Sequence, residues 1–485
     1  MTGSQVAALI LTADAIGWLM LALLTANAVI AAIAIALRFL PAAPAGAMPA
    51  PTARAEPASE FGPTPMVSVH LPVHDEPAAM VIATLDALAR LDYPAFEVIV
   101  IDNNTPDRES WLPVERHCAA LGPRFRFVHR DGVTGAKAGA LNIAAAMMHP
   151  AARYIAVVDA DYNVLPGFLA RAVAAAHHHR ADYVQFPQRY WFAPAAAPVA
   201  DELGDYFTAV ARPASDRGGI LLTGTLSLVA AEWLHRIGGW PTAHLTEDAE
   251  LGLRLRGAGA RGVFVDETAG HGQLPRDLTG LIMQRDRWAA GNIQALIGTV
   301  PRWGRGHVGA GAAIAIAAQL LAWPAFIAIP LAALTFGLAA NITDGASPIW
   351  SRVIAFAASS VLAEIAALFV QQAQLRRLGR DPRAAIVKFA MLIPASLAWL
   401  PAVWGQRLRF RRTPKHETAS AAVPASLLAC GLWAATMAFL YTAQGAPLPA
   451  LALVAVALTL PAALATGRML HRPAPRLRAA AQLPV

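Results

Sequence analysis

The sequence predicts an α/β domain with a mostly parallel sheet, joined to a bundle of transmembrane helices. Strand-like and helix-like runs alternate from Met66 to about Arg305, which is the pattern of α/β domains. Apolar runs long enough to cross a bilayer precede and follow this region. With 56% hydrophobic and only 15% charged residues among 485, the chain is too apolar for a soluble protein and too long for a single domain.

The N-terminal 40 residues are expected to form one transmembrane helix. The apolar run Val6–Leu37 exceeds the ~20 residues that a crossing needs. Arg38 follows it and no basic residue precedes it, so the positive-inside rule predicts an external N-terminus and a cytoplasmic domain after the span. A cleaved signal peptide is the alternative, although it would have a basic start and a shorter apolar core. Residues 41–65, rich in Pro and Ala, are expected to be a linker.

Within the α/β domain, assigned to residues 66–305, the strands and helices follow from periodicity. The runs MVSVHLPV, FEVIVID and YIAVVDA are rich in β-branched residues and predict strands, whereas AAMVIATLDALARL and GALNIAAAMM predict helices. This alternation of strands and helices predicts a mostly parallel sheet covered by helices.

The region 306–470 contains five apolar runs, at 310–340, 352–372, 384–404, 421–442 and 447–467. We expect four of them to be spans and 384–404 to be an interfacial helix. If 384–404 crossed the bilayer, one of the two clusters of basic residues that flank it would lie on the outer side, against the positive-inside rule. Pro394 and Pro401 also disfavour a straight helix. Five spans in total are therefore expected, with six as the alternative, and the basic tail 471–485 is expected in the cytoplasm.

The excess of basic residues is assigned to this membrane topology. The 39 Lys and Arg exceed the 32 Asp and Glu, but no basic module interleaved with aromatic residues is visible, so nucleic acid is not an expected partner. The two cysteines, Cys118 and Cys430, lie far apart, which argues against a disulfide framework or a Cys-based metal site.

Acidic residues follow three of the predicted strands, and parallel sheets bind ligands at the carboxyl ends of their strands. The residues concerned are Asp75 with its neighbours His74 and Glu76, then Asp102, then Asp159 and Asp161. An Asp-x-Asp pair supplies oxygen ligands for Mg²⁺ or Mn²⁺, which takes the rest of its coordination from water and phosphate. The pair therefore predicts a metal-assisted site for a nucleotide diphosphate.

Two further motifs carry charge at predicted helix starts. Lys137, within GAKAGALN, opens a helix and can reach a phosphate, although the spacing of a Walker loop is absent. Thr246, Glu247 and Asp248 open the helix TEDAELGLRL, either as an N-cap with acids in its first turn or as part of a site.

The motif MQRDRWAAGNIQ lies just before the membrane region and contains Gln284, Arg285, Arg287 and Trp288. An aromatic face beside polar groups suits a sugar ring, and an interfacial Trp with Arg anchors is the other interpretation.

The ordered set DxD, TED and QxxRW resembles the family 2 glycosyltransferases of the cellulose synthase type. The likeness extends from Met66 to about Gln294 and continues into the membrane part, and the pattern is most similar to bacterial synthases associated with β-1,3-glucans. This resemblance implies a GT-A (Rossmann-like) nucleotide-sugar domain and inversion at the anomeric carbon without a covalent intermediate. It also implies that Asp75 and Asp102 hold the base and ribose, that Lys137 contacts the diphosphate, and that Asp159 and Asp161 bind UDP and the metal.

For the acceptor side, the resemblance implies that Asp248 is the general base. It implies that the acceptor end and the pyrophosphate are held by Thr246, Glu247, Gln284, Arg287 and Trp288, with the strand that contains Thr223–Thr225 as the floor. FRRTPK, Phe410–Lys415 within the segment 405–418, resembles a gating loop of pattern FxVTxK but has Arg412 at the Val position. No PilZ domain follows the last predicted span, so control by cyclic di-GMP through such a domain is not expected.

The resemblance therefore predicts a processive synthase in the bacterial inner membrane, with UDP-glucose as the expected donor and Mg²⁺ or Mn²⁺ as cofactor. Its partners would be the growing polysaccharide or a lipid acceptor, membrane lipids, and an export protein that the sequence does not identify. A single-transfer enzyme that makes a glycolipid such as glucosyl diacylglycerol is the first alternative. A transporter or scaffold without catalysis is the second.

Overall fold

The computed structural model describes residues 3–39, 64–302, 308–344, 347–377, 379, 381–406 and 423–471. Most of the predicted linker, the gating-like motif Phe410–Lys415 and the tail after residue 471 lie outside these residues.

Within the described residues, ten strands form two sheets in the α/β domain. They are β1 (Met66–Val73), β2 (Phe96–Asn103), β3 (Phe125–Arg130), β4 (Ala152–Val157), β5 (Asn163–Val164), β6 (Tyr183–Gln185), β7 (Arg189–Trp191), β8 (Ser227–Ala230), β9 (Gly262–Phe264) and β10 (Gly270–Gln273). The large sheet has the order β3-β2-β1-β4-β8-β6-β9, and the small one has the order β5-β10-β7. All pairs in the large sheet are parallel except those of β8, which confirms the mostly parallel sheet.

Helices cover this sheet because its strands are apolar on both faces; all eight residues of β2 are buried. After the N-terminal helix α1 (Gly3–Arg38), the domain contains α2 (Ala78–Ala89), α3 (Arg108–Leu121), α4 (Ala136–Met147), α5 (Phe168–His178), α6 (Ala197–Tyr206), α7 (Arg212–Asp216), α8 (Ala231–Arg236), α9 (Glu247–Gly257) and α10 (Leu278–Gly298). The predicted helices after β1 and before β4 are thus α2 and α4.

The reversed strand β8 determines which residues meet at the carboxyl edge of the large sheet. Val157, at the end of β4, pairs with Ser227, at the start of β8. Because β8 runs antiparallel to β4, the segment just before it, Thr223–Thr225, reaches the edge at which β1, β2 and β4 end. The strand ends and this segment therefore face one another across one cleft.

The remaining helices form the membrane part. They are α11 (Ala310–Leu320), α12 (Ala328–Asp344), α13 (Pro348–Arg376), α14 (Ala384–Ala390), α15 (Leu392–Leu397), α16 (Leu400–Val403), α17 (Ala425–Ala443), α18 (Pro447–Ala457) and α19 (Thr459–Leu470). In the described residues, four helical segments are long and apolar enough to cross a membrane, namely Asp14–Arg38, Pro348–Arg376, Ala425–Ala443 and Pro447–Leu470. The chain is accordingly an integral membrane protein.

The prediction that the run 310–340 forms one transmembrane helix is wrong. Helix α11 ends at Leu320 and α12 begins at Ala328, with Trp323 and Pro324 between them. The backbone of Phe326 in this break donates to the Glu364 carboxylate at 3.0 and 3.1 Å and accepts from Nδ2 of Asn27 at 2.8 Å. Pro324 cannot continue a helix, and buried polar side chains satisfy the freed backbone groups, so the run divides into two short helices.

The segment predicted as an interfacial helix is bent. Helix α14 and the segment Leu392–Val403 meet at 42°, and counting this pair as one crossing would raise the number of possible spans to five. The bend agrees with the argument from Pro394 and Pro401 against a straight helix. Lys388 of α14 also lies 3.6 Å from Glu202 of α6, so this segment contacts the α/β domain. Its position at the membrane surface remains a prediction.

Candidate active site

A pocket of about 400 Å³ opens at the carboxyl edge of the large sheet. Nine of the eleven predicted site residues line it: Lys137, Asp159, Asp161, Thr246, Glu247, Asp248, Gln284, Arg287 and Trp288. They come from a strand end, the starts of two helices and the middle of a third. The fold thus brings the DxD, TED and QxxRW motifs together around one cavity.

The other two predicted residues, Asp75 and Asp102, do not line this pocket. Asp102 is 1% exposed; its carboxylate accepts a hydrogen bond from Oγ1 of Thr105 at 2.7 Å and lies 2.6 Å from Nδ1 of His129. Burial raises the pKa of Asp102 despite these contacts. Asp75 lies in a positive-φ turn, and its backbone N–H donates to Thr105 at 2.8 Å. Asp102 therefore lies beneath the pocket, where its carboxylate contacts the side chains of Thr105 and His129.

Lys137 is placed by the start of α4. Gly135 before it adopts φ 80°, and a β-carbon there would lie 2.6 Å from Thr242, so this tight turn requires glycine. Nζ of Lys137 donates to Oδ1 of Asp159 at 2.5 Å and to the carbonyl of Gly224 at 2.7 Å. Burial opposes the charge of Lys137, but the carboxylates of Asp159, Glu247 and Asp248 raise its pKa overall. The pocket thus contains a permanent cation.

Asp159 and Asp161 follow the end of β4, as predicted. The backbone N–H of Asp159 donates to Oγ1 of Thr225 at 3.0 Å, which ties this strand end to the segment before β8. Among the described residues there is no group of three or more Cys, His, Asp or Glu residues that could enclose a metal ion. Two pocket-lining carboxylates suit a cation that takes its remaining ligands from water and phosphate, so the donor set fits Mg²⁺ or Mn²⁺.

Asp248 lies in the first turn of α9. Burial raises its pKa to about 7, with Glu247 acting in the same direction and Lys137 and Arg287 opposing. Its Oδ1 accepts from the N–H of Ala249 at 2.8 Å. A carboxylate that titrates near neutral pH can accept a proton from a hydroxyl group in the physiological range.

The TED motif is more than a helix cap. Thr246 occupies the N-cap position of α9 but makes no side-chain capping bond, and its buried Oγ1 has no hydrogen-bond partner in the part of the chain that the structure describes. Leu251, Leu253 and Leu255 of this helix are all fully buried and anchor it. Thr246 therefore contributes an uncommitted hydroxyl to the wall of the pocket.

A second, smaller pocket of about 50 Å³ adjoins the first. Six residues line both pockets: Gln188, Tyr190, Thr223, Thr246, Asp248 and Trp288. Its other walls are aromatic, aliphatic and amide side chains, and two of them, Gln319 and Trp323, come from α11 and from the break after it. Asp248 consequently stands between a polar, charged cavity and a narrow aromatic one beside the membrane helices.

Several lining residues escaped the sequence analysis. Gln188, which lines both pockets, donates to the carbonyl of Thr223 at 2.6 Å and accepts from the hydroxyl of Tyr190 at 2.8 Å. Its place shortly after β6, a strand that ends at the same edge, was the available signal. Trp323 and Tyr206 stack with ring centroids 5.1 Å apart, and no local pattern distinguished either residue.

Profiles of two related families match the chain. The family described as glycosyl transferase family 2 matches residues 68–199, and the one described as glycosyl transferase family group 2 matches residues 154–466. The second match covers more than half of the chain and includes the DxD, TED and QxxRW motifs and the membrane helices that follow the α/β domain, up to residue 466.

Curated relatives agree with this assignment. A cellulose synthase catalytic subunit [UDP-forming] of Xanthomonas axonopodis pv. citri (strain 306) is 28% identical over 254 residues, which is 50% of this chain and 33% of the relative. A probable glucomannan 4-beta-mannosyltransferase 11 of Arabidopsis thaliana is 28% identical over 241 residues, 47% of this chain and 53% of the relative. The chain thus spans a third to about half of the length of these relatives.

Among solved structures, the mannosyltransferase PcManGT from Pyrobaculum calidifontis, in complex with GDP-Man and Mn²⁺, has a TM-score of 0.52 and 21% identity, covering 81% of this chain and 99% of that one. This likeness bears on the fold alone and agrees with the predicted GT-A domain. The family matches identify an enzyme, so the alternative of a transporter or scaffold without catalysis is wrong. The chain belongs to glycosyl transferase family group 2 and is a glycosyltransferase, similar over half of its length to a cellulose synthase catalytic subunit.

Proposed function

We propose that this enzyme transfers glucose from UDP-glucose, with inversion, to the growing end of a β-glucan, and that it does so processively at the membrane. One observation carries this proposal. Asp248, whose pKa is about 7, lies in the wall shared by a charged pocket and an aromatic pocket that residues of the membrane part help to form. Donor and acceptor would approach the base from these two sides.

The charged pocket suits the nucleotide sugar. Lys137 supplies a fixed positive charge in the first turn of α4, where backbone N–H groups also favour phosphate. Asp159 and Asp161 would hold Mg²⁺ or Mn²⁺, which when bound neutralises negative charge on the departing diphosphate. Asp75 and Asp102 would serve the base and ribose from the rim and from beneath the pocket, the latter through His129 and Thr105.

The aromatic pocket suits the acceptor. A sugar ring on the face of Trp288 would present its hydroxyl to Asp248. Asp248 takes the hydroxyl proton as the oxygen attacks C1, the bond between C1 and the diphosphate breaks, and the nucleotide leaves with the electron pair. Thr246, Glu247, Gln284 and Arg287 would hold the acceptor end and the diphosphate around this line of attack. Because attack and departure occur on opposite faces of C1, one displacement inverts the anomeric centre.

The position of the smaller pocket supports extension rather than a single transfer. Gln319 and Trp323, from the membrane part, line it, so a product leaving the base would move towards the membrane helices. We propose a bacterial inner-membrane location, a cytoplasmic α/β domain, an external N-terminus, and domain limits at residues 40, 65, 305 and 470. These follow from the distribution of basic residues and from the composition of the chain.

The donor is tested by supplying the purified enzyme, in lipid nanodiscs with Mg²⁺ or Mn²⁺, with UDP-glucose or with a mannosyl donor such as GDP-mannose. We expect glucan longer than one unit from UDP-glucose, and linkage analysis would identify the bond. A polymer formed only from the mannosyl donor would overturn the choice of glucose, and the mannosyltransferases among the relatives make this arm informative. Products of one sugar on lipid would overturn processivity in favour of a glycolipid synthase.

A further inference from the structure

Arg285, in the variable part of the QxxRW motif, lies in a buried cluster of charges beside the smaller pocket. Its side chain is 3% exposed, and its Nη2 forms an ion pair with Oε2 of Glu202, which is 1% exposed. Lys388 of the bent segment approaches the other oxygen of Glu202, with Nζ 3.6 Å from Oε1. Glu202 of α6 thus joins two cations, one from α10 and one from the membrane part.

The guanidinium group of Arg285 also lies against two neighbouring tryptophans. Its central carbon is 4.9 Å from the ring centroid of Trp288 and 4.1 Å from that of Trp323. The two rings are 4.9 Å apart and tilted by 47°, and both line the smaller pocket. Arginine can lie against both rings because its planar, weakly hydrated charge stacks on aromatic faces, which an ammonium group does less well.

Trp323 is held independently from the membrane side. It lies in the break between α11 and α12. The carbonyl groups of the next three residues, Pro324, Ala325 and Phe326, accept hydrogen bonds from Arg38, Trp399 and Asn27 at 3.4, 2.8 and 2.8 Å, respectively. Trp288, by contrast, belongs to α10 of the α/β domain. The only described side chain that lies within cation–π distance of both rings is therefore Arg285, and it spans the junction between the two parts of the enzyme.

We propose that Arg285, held by Glu202, is a positioning residue that fixes Trp288 and Trp323 as the walls of the acceptor pocket. It acts on the acceptor through these two rings and does not touch the donor. The proposal rests on the proposed function, because the smaller pocket is assigned to the acceptor there. Loss of Arg285 should therefore weaken acceptor use and leave donor binding in place.

The test separates positioning from folding by using a charge-balanced pair. Removal of Arg285 or Glu202 alone changes the net charge of this buried cluster, whereas removal of both keeps it unchanged and leaves Lys388 facing a neutral side chain. We expect the double variant R285Q/E202Q to bind UDP as the wild type does, in lipid nanodiscs. Its KM for β-linked glucose oligosaccharides should rise roughly tenfold, the effect of losing a desolvated cation–π contact. Its ratio of UDP-glucose hydrolysis to transfer should rise as well.

A matched control is the pair Arg126 and Glu97, which lie 2.7 Å apart and line neither pocket. The variant R126Q/E97Q should leave the acceptor KM and the hydrolysis ratio unchanged. The variant R285K keeps the charge and should fold even if the double variant does not, and its acceptor KM should also rise. Wild-type values for acceptor KM in R285K, or in a folded R285Q/E202Q, would overturn the role of Arg285.

The two proposals fail differently. If the wild-type enzyme transfers no sugar to any acceptor, the proposed function and this role fall together. If the wild type transfers sugar and the Arg285 variants match it, the positioning role alone falls.

Discussion

A β-carbon on Gly224 would lie 2.8 Å from Oδ2 of Asp248, so this glycine leaves space for the carboxylate. Gly224 also adopts φ +86° and accepts a hydrogen bond from Lys137 through its carbonyl oxygen. One backbone position, in the middle of the segment before β8, therefore sets the spacing between the cation of the pocket and its candidate base.

The variant G224A should lose most of its transfer activity while the protein stays folded. The added methyl group must displace Asp248 or Lys137, whose Nζ would be 3.3 Å away, and a displacement of about 1 Å can cost roughly 100-fold in rate. Single-turnover transfer rates would measure the loss. The control is G218A, because Gly218 also has positive φ, +66°, but faces open space. Equal rates in G224A and G218A would show that the clash with Asp248 and Lys137 does not slow transfer.

The pH dependence of transfer should report the raised pKa of Asp248. A general base acts in its deprotonated form, so the rate should rise with pH below about 7 and level off above it. In D248N this limb should vanish, with the rate lowered by roughly 10² to 10⁴ and UDP binding retained. Initial rates between acid and mildly alkaline pH, at saturating donor, would measure both. A D248N enzyme with undiminished transfer would remove Asp248 from the mechanism.

Removal of the positive charge of Lys137 should shift the pH range in which the transfer rate rises. Lys137 lowers the pKa of Asp248, whereas burial and Glu247 raise it. In K137M the rate should therefore rise at higher pH than in the wild type. A shift of about one unit or more is expected for the loss of a close opposite charge. K137R keeps the positive charge, so its transfer rate should rise over nearly the same pH range as that of the wild type. The larger side chain of K137R should raise the KM for the donor. An unshifted limb in K137M would mean that another group titrates.

Transfer should require a divalent cation that the DxD pair helps to hold. Chelation should abolish transfer, and Mg²⁺ or Mn²⁺ should restore it. The variant D161N should need a higher cation concentration for half-maximal rate, because a neutral amide is a weaker ligand than a carboxylate. Asp266 provides a control, since it pairs with Arg189 and Arg212 outside both pockets. If D161N and D266N share the wild-type cation requirement, Asp161 is not a ligand.

Local sequence pattern predicted much of the catalytic part. The apolar runs ending at Asp102 and Asp159 are strands that are buried on both faces, and the parallel order of their neighbours follows from the helices between them. The position of acids after these strands predicted the edge at which the pocket lies. Nine of the predicted site residues line this pocket, although the sequence pattern contains no information on the contacts between them.

Other features depend on contacts between distant residues. Asp102 was expected to bind ligand, but His129, from the next strand, and Thr105 surround its carboxylate. The apolar run 310–340 has the hydropathy of one span, yet it breaks where Asn27 and Glu364 satisfy the backbone of Phe326. A hydropathy average depends only on residues adjacent in sequence, so it does not reveal hydrogen-bond partners from distant parts of the chain.

The sequence by itself determined the α/β domain, the apolar membrane segments and the chemistry of the three motifs, because these properties reside in runs of adjacent residues. Only the tertiary structure decided that Gly224 spaces Lys137 from Asp248, that Trp323 of the membrane part lies beside Trp288, and that Arg285 contacts both rings. The physical reason is that packing and buried charge pairing depend on three-dimensional proximity, which the reversed strand β8 and the break before α12 create.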